Sequence, residues 1–141
     1  MHRVFVYGTL KRGFPNHDGA IADLPCLGRF RTAQAFPLVV GGDWFSPYLI
    51  DEPGEGHRVF GEVFEVDDEG LEALDRMEGT HLPVGYRRIS IAIEDKHGAA
   101  TFDAWTYVKD RETIRGIHSD PMEEYAQDPR YVSPSKRTTG F

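Results

Sequence analysis

Two short stretches carry residue types whose placement would do chemistry. The first is Tyr7-Gly8-Thr9-Leu10. A strand that ends in a glycine and runs into a loop presents several backbone N–H groups in succession, and the glycine lets a ligand come close to the backbone. Such a row of N–H groups binds an anion or a developing oxyanion. Gly8 serves equally if the chain needs only a sharp exit from the strand. The second is Glu78. On a helix, Leu71, Leu74 and Glu78 stand at i, i+3 and i+7, which is one face. That face carries the apolar residues, so the carboxyl is expected to point inward. It also sits in the last turn, where the helix dipole disfavours a carboxylate. Burial and dipole both oppose its charge and push its pKa upward. A carboxylate so shifted suits a general base near neutral pH. The competing placement is a frayed helix end that leaves Glu78 exposed beside Gly79.

The elements that would position these residues can be read from the punctuation of the chain. There are 15 glycines and 9 prolines, which cut it into many short pieces and favour a β-rich domain with few helices. Arg3 to Tyr7 reads as the first strand, being β-branched and aromatic. Asn16 to Leu24 has room for one or two helical turns, with Asn16 or Asp18 as cap. Leu27 to Phe36, Leu38 to Val40 and Tyr48-Leu49-Ile50 read as strands, with a loop over Gly41 to Pro47. Val59 to Val66 is a strand with both faces partly covered, since its apolar residues do not alternate cleanly. Asp67-Asp68 opens the best helix in the chain, which ends at Gly79. Leu71, Leu74 and Met77 are read as its core contacts. Tyr86 to Glu94 and Ala100 to Val108 form a hairpin around Lys96-His97-Gly98. Beyond Lys109 the pattern weakens. Met122 to Ala126 is read as a short helix, and the polar end from Pro134 to Phe141 as loosely held.

Composition sets the outer bounds. At 141 residues the chain suits one domain, large enough to bury roughly two-thirds of its unfolded surface without a staple. Its single cysteine, Cys26, excludes an intramolecular disulfide framework and fits a reducing, cytoplasmic compartment. Cys26 itself is read as a small core residue. The net charge of -7 argues against a nucleic-acid partner, which would need a basic face. No apolar run reaches the ~18 residues of a membrane span, and the start lacks a signal peptide's apolar core. Gly8 and Gly13 have phosphate-loop spacing, but Phe14-Pro15 replace the Lys-Ser/Thr that would act on a phosphate. The six histidines show no metal-ligand spacing, so no metal is expected. No G-x-S-x-G elbow occurs.

The stretch Val4-Phe5-Val6-Tyr7-Gly8-Thr9-Leu10-Lys11-Arg12-Gly13, with Pro15-Asn16 after it, resembles the opening signature of the γ-glutamylcyclotransferase-like superfamily. It is most similar to the γ-glutamylamine cyclotransferase branch. The likeness continues through Pro47-Tyr48-Leu49, Pro53-Gly54, Gly61 to Asp67, Leu74-Asp75-Arg76-Met77-Glu78-Gly79 and Tyr86-Arg87-Arg88. It covers the chain from about residue 3 to 108. Met77 stands where an aromatic is often found, a conservative apolar change.

The resemblance implies an α+β, mostly β fold: a small single-domain barrel over residues 1–108 with a few short flanking helices. Residues 109–141 would be a C-terminal extension of the same domain. It implies a pocket in which Tyr7, Gly8, Thr9 and Leu10 hold a γ-glutamyl group through backbone contacts, with Glu78 as proton acceptor. Tyr86 is a further candidate, as pocket wall or hydrogen-bond donor. The implied reaction is intramolecular aminolysis of a γ-glutamyl amine to 5-oxoproline and free amine, with a small-molecule substrate and no cofactor. A non-catalytic small-ligand binder and an enzyme trimming a γ-glutamyl cap from a biosynthetic intermediate stay open beside it. The leaving amine and the oligomeric state are not fixed by these residues.

Overall fold

The structure, a computed structural model, describes residues 1–17 and 21–137. Seven strands and one α-helix account for its regular structure, among the described residues. The strands are β1 (His2–Val6), β2 (Cys26–Thr32), β3 (Leu38–Gly41), β4 (Ser46–Leu49), β5 (Phe60–Val66), β6 (Arg87–Glu94) and β7 (Thr101–Val108), and the helix is α1 (Asp68–Glu78). Two 3-10 turns, Arg111–Thr113 and Pro134–Lys136, follow β7.

Five strands close on themselves in the order β1-β5-β2-β6-β7. All neighbours in this ring are antiparallel except β1 and β7, which meet in parallel with Val4 opposite Trp105. The remaining two strands, β3 and β4, form a separate antiparallel hairpin. The mostly β architecture is the one expected. The hairpin of β6 and β7 also lies where the sequence placed it, with Arg87 opposite Val108 and Glu94 opposite Thr101.

Strand alternation sorts the apolar residues into two clusters. Phe5, Tyr7, Val63, Ile91, Ile93, Ala104 and Val108 fall into one, which the β3–β4 hairpin joins through Leu38, Val40 and Leu49. Val4, Val6, Phe64, Val66 and Tyr107 fall into the other, against Leu71 and Leu74 of α1. Strand β5 therefore buries both faces, which is why its apolar residues do not alternate in the sequence. No helix among the described residues is long and apolar enough to cross a membrane.

Some expectations need correcting. Strand β2 ends at Thr32, not Phe36. A register shift between Cys26 and Gly28 breaks its pairing to β5, and Phe36 instead bridges to His57. Strand β4 begins at Ser46 and takes in Pro47, leaving a tight turn over residues 42–45 where a longer loop was expected. Residues 122–126 are not helical. Their backbone pairs with other elements instead, with Met122 N–H donating to Leu38 O and Phe60 N–H donating to Glu123 O. The helical turns expected over Asn16 to Leu24 include residues 18–20, which lie outside the described residues. Met77 is 39% exposed rather than a core contact. At about 100° per residue it stands some 240° round from Leu71, off the buried face, whereas Glu78 returns to within about 40° of Leu74.

Candidate active site

The C-terminal end of α1 is where local sequence rules place a functional side chain most tightly. Asp67 caps the helix by accepting a bond from Gly70 N–H at 2.7 Å. Gly79 ends it in the left-handed conformation at φ 69°, and Thr80 N–H donates to Asp75 O at 3.1 Å. The chain then doubles back, and Tyr86 N–H donates to Glu78 O at 3.0 Å. That close return needs Gly85, because a Cβ there would lie 1.8 Å from Gly79 O. The result sets the Tyr86 ring beside Glu78.

Glu78 opens into a pocket of about 350 Å³. Its other walls come from the loop after β1 (Tyr7, Gly8, Thr9, Leu10), from Ser46, Pro47 and Tyr48 of β4, and from Tyr107 of β7. All the site residues expected from the sequence, Tyr7, Gly8, Thr9, Leu10, Glu78 and Tyr86, thus line one cavity. Met77 stands beside them.

The loop turns its carbonyls onto itself. Gly8 O accepts from Lys11 N–H at 3.1 Å and Thr9 O accepts from Asn16 N–H at 2.9 Å. Leu10 O meets His17 Nδ1 at 3.0 Å. Asn16 Nδ2 donates to Thr9 Oγ1 and to the Tyr131 hydroxyl, each at 2.8 Å. In a trans peptide the N–H points opposite to the C=O of the same plane. The Thr9 and Leu10 N–H groups share planes with Gly8 O and Thr9 O, so they are directed away from the loop's own turn.

The tyrosines form a rigid lining. Tyr7 donates to Tyr107 O at 2.7 Å, Tyr86 to Pro47 O at 3.3 Å, and Tyr107 to Asp75 Oδ1 at 2.8 Å. Burial pushes the hydroxyls of Tyr7, Tyr86, Tyr107 and Tyr48 above the ordinary phenol range, so they remain protonated. Behind Tyr48 and Tyr86, the buried Lys109 ammonium donates to Val84 O and lies 5.4 and 5.5 Å from the two ring centroids.

Glu78 differs from the ion-paired acids among the described residues. Its carboxyl is packed round by protein but touches solvent through the pocket, which makes it half-buried. Among the described residues it takes no hydrogen bond or ion pair. Desolvation pushes its pKa up from 4.5 to about 7, opposed only by the Arg137 guanidinium. The group is therefore a weak acid poised to take a proton near neutrality.

Sequence reasoning missed the third wall, made by Tyr131, Pro134 and Arg137. The segment expected to hang loosely is pinned as far as Arg137: Nε donates to Val132 O at 2.9 Å, and Nη2 reaches Ser46 Oγ at 3.4 Å and the Tyr131 hydroxyl at 3.3 Å. No local pattern could have found it, since its partners lie up to 91 residues away. As part of this site, Pro47 and Tyr48 were visible only through a family likeness, and Asn16 through that likeness and as a helix cap. Among the described residues no group of three or more His, Cys, Asp or Glu converges as a metal site would require.

Comparison with known proteins gives a consistent picture. The family model described as Gamma-glutamyl cyclotransferase, AIG2-like matches residues 4–127. A Gamma-glutamylaminecyclotransferase of Bos taurus is 38% identical over 126 residues, covering 86% of this chain and 74% of that protein. The protein of the same name from Homo sapiens is 43% identical over 98 residues, covering 67% of this chain and 63% of that one. Among solved structures, an aig2-like protein from Mus musculus superposes with a TM-score of 0.78 at 32% identity, covering 97% of this chain and 99% of that chain.

Proposed function

The chain belongs to the gamma-glutamyl cyclotransferase, AIG2-like family, and from that membership we propose that it is a γ-glutamylamine cyclotransferase-type enzyme. It converts a γ-glutamyl amine to 5-oxoproline and the free amine, with Glu78 as general base. The observation that carries this reading is Glu78 itself: a carboxylate with no polar partner among the described residues and a pKa pushed up to about 7, in the same pocket as the Tyr7–Leu10 loop.

The substrate brings its own nucleophile, so the enzyme's work is positioning and proton transfer. The pocket folds the γ-glutamyl chain so that the α-nitrogen lies against the γ-carbonyl carbon. Such positioning supplies up to roughly 7–11 kcal/mol in the best cases. The α-ammonium passes a proton to the Glu78 carboxylate and its lone pair attacks the carbonyl. The new C–N bond closes the five-membered ring, and the carbonyl oxygen takes negative charge. As the oxygen's electrons return, the old C–N bond breaks; Glu78 returns the first proton to the departing nitrogen and then relays the second proton of the ring nitrogen to it, so that the lactam keeps one N–H and the amine leaves as an ammonium. The Thr9 and Leu10 N–H groups suit the transient oxyanion or a substrate carboxylate, because the loop has engaged its carbonyls elsewhere. Tyr86 supports the pocket wall. On this chemistry no metal or organic cofactor is called for.

The segment after Lys109 belongs to the same working unit in this reading, since Tyr131, Pro134 and Arg137 wall the pocket. A cytoplasmic setting accords with the lone cysteine. The test is release of 5-oxoproline from γ-glutamyl-ε-lysine by the wild type and by Glu78→Gln, which keeps the shape and removes the base. Turnover by the wild type and its loss in the variant are expected; equal rates would overturn the role of Glu78.

A further inference from the structure

Only two charged side chains line the pocket among the described residues, Glu78 and Arg137. They carry opposite signs and still do not form an ion pair. Elsewhere arginine in this protein is usually consumed by a carboxylate: Arg12, Arg29, Arg31, Arg58, Arg87, Arg88, Arg111, Arg115 and Arg130 all sit in ion pairs. Among the described residues, Arg137 is spent only on neutral partners. Its Nε donates to a carbonyl and its Nη2 makes two long bonds to hydroxyls. A guanidinium has five N–H donors in a planar fork, so donors on Nη1 remain available. The Tyr131 ring, 5.6 Å from the guanidinium carbon, and the Val132 carbonyl fix the fork in place.

We propose that Arg137 holds the α-carboxylate of the γ-glutamyl group. This rests on the reading of the pocket as a γ-glutamyl site and deepens it. The α-carbon of that group carries an ammonium and a carboxylate on one atom. A pocket lined by an acid and a cation that feel one another's charge without forming an ion pair matches this zwitterion, because each charge of the ligand meets its opposite. Glu78 takes the ammonium that must be deprotonated, and Arg137 takes the carboxylate. The assignment also divides the labour of the site: with the carboxylate on Arg137, the Thr9 and Leu10 N–H groups are free for the γ-carbonyl oxygen, where charge develops. Arg137 is in this sense both a specificity and a positioning residue, contributed by the last part of the described chain.

The test compares 5-oxoproline with its neutral amide, 5-oxoprolinamide, as ligands of the wild type and of Arg137→Gln, by NMR titration. The wild type is expected to prefer the acid, and the variant to lose about 10- to 100-fold of that preference while binding the amide unchanged. Unchanged amide binding shows that the pocket is intact. Arg137→Lys restores charge but not the fork, and is expected to recover only part of the preference. A variant that keeps the acid-over-amide ratio overturns the proposal, as does a wild type with no preference for the acid. A turnover arm separates the two carboxylates a substrate can carry. Arg137→Gln is expected to slow γ-glutamyl-ε-lysine and γ-glutamyl-cadaverine alike, chiefly through KM. Slowing of the lysine compound alone would assign Arg137 to the leaving group and overturn the proposal. Its loss is also expected to move the acid limb of kcat/KM upward in pH, because Arg137 is the charge that holds the Glu78 pKa down. Ligand discrimination can be read even if no 5-oxoproline is ever released, so failure here and failure of the enzymatic reading remain distinct.

Discussion

Two half-hidden carboxylates divide the molecule. At the end of β6, Glu94 is 9% exposed and is gripped by Arg31 Nε at 2.7 Å and Arg58 Nη1 at 3.2 Å. It joins two strands of the ring and a connecting loop, and both its charge and its geometry are answered by protein. At the end of α1, the half-buried Glu78 has no polar partner for its carboxyl among the described residues. The same side-chain chemistry is satisfied by protein in one place and left open in the other, and the difference is who satisfies it. A carboxylate answered by protein has nothing left for a substrate. One answered only by a pocket keeps its proton equilibrium near neutrality and remains open to a ligand.

The contrast is broken or upheld most directly by turnover. Glu78→Gln is expected to lower kcat for 5-oxoproline release by about 10²- to 10⁴-fold, the range of a positioned general base. Glu94→Gln is expected to leave it within about twofold. In the wild type kcat/KM should fall about tenfold per pH unit below about 7, because Glu78 is then protonated and cannot accept a proton. An acid limb centred near 4.5 would place Glu78 in ordinary solvent and dissolve the distinction from Glu94.

Stability should move in opposite directions at the two sites. In the folded chain the Glu78 pKa is raised from 4.5 to about 7. Between those values the folded state holds a proton that the unfolded state has released, so stability falls as pH rises through that window. Glu78→Gln removes the penalty. It is expected to be more stable than the wild type by about 2–3 kcal/mol at pH 8 and no different at pH 4. Glu94→Gln is expected to be less stable by about 1–3 kcal/mol at pH 7, since two arginines lose their anion. Urea unfolding at the two pH values reads both. A destabilised Glu78→Gln at pH 8 would mean that the carboxylate is satisfied after all.

A smaller effect tests how the pocket's other wall is held. A Cβ at Gly8 would lie 2.7 Å from Cγ and 3.3 Å from Cβ of Pro47. A proline ring has little freedom to yield, so Gly8→Ala should part the loop from β4 at a cost of about 1–2 kcal/mol. The displaced Thr9 and Leu10 N–H groups should lower kcat/KM about tenfold. If stability falls while catalysis is untouched, Gly8 only lets the chain leave the strand, and the loop has no part in the chemistry.

How far the sequence carried the contrast depends on the range of each signal. The cap at Asp67, the glycine at Gly79 and the 3.6-residue spacing of Leu71, Leu74 and Glu78 are all local, so α1 and the inward turn of Glu78 were legible. The β6–β7 hairpin was legible for the same reason. Glu94 was not recognisable as a partnered acid, because Arg31 and Arg58 lie 63 and 36 residues away. Arg137 was missed because Ser46, its anchor, is 91 residues away, and the Asn16–Tyr131 bond spans 115. The stretch over residues 131–137 carries no periodic pattern because it is held by single polar contacts, several to distant elements, rather than by a buried face.

Asp75 supplies the finest version of the comparison, since it shares α1 with Glu78 and faces the same end of the molecule. It accepts from the Tyr107 hydroxyl at 2.8 Å and pairs with Arg88 Nε at 3.0 Å. It should therefore behave like Glu94 despite lying one helical turn from Glu78. Tyr107→Phe removes one of its two partners and leaves the ring, and the aromatic wall of the pocket, in place. Because Arg88 still answers the charge, the cost is expected to be about 1 kcal/mol in urea unfolding, with kcat/KM unchanged within about threefold. The hydroxyl is already committed to Asp75, so its loss takes nothing from a substrate. A fall in kcat of a hundredfold would mean that Tyr107 turns to the ligand during turnover. The line between partnered and unpartnered acids on this helix would then shift with occupancy of the pocket.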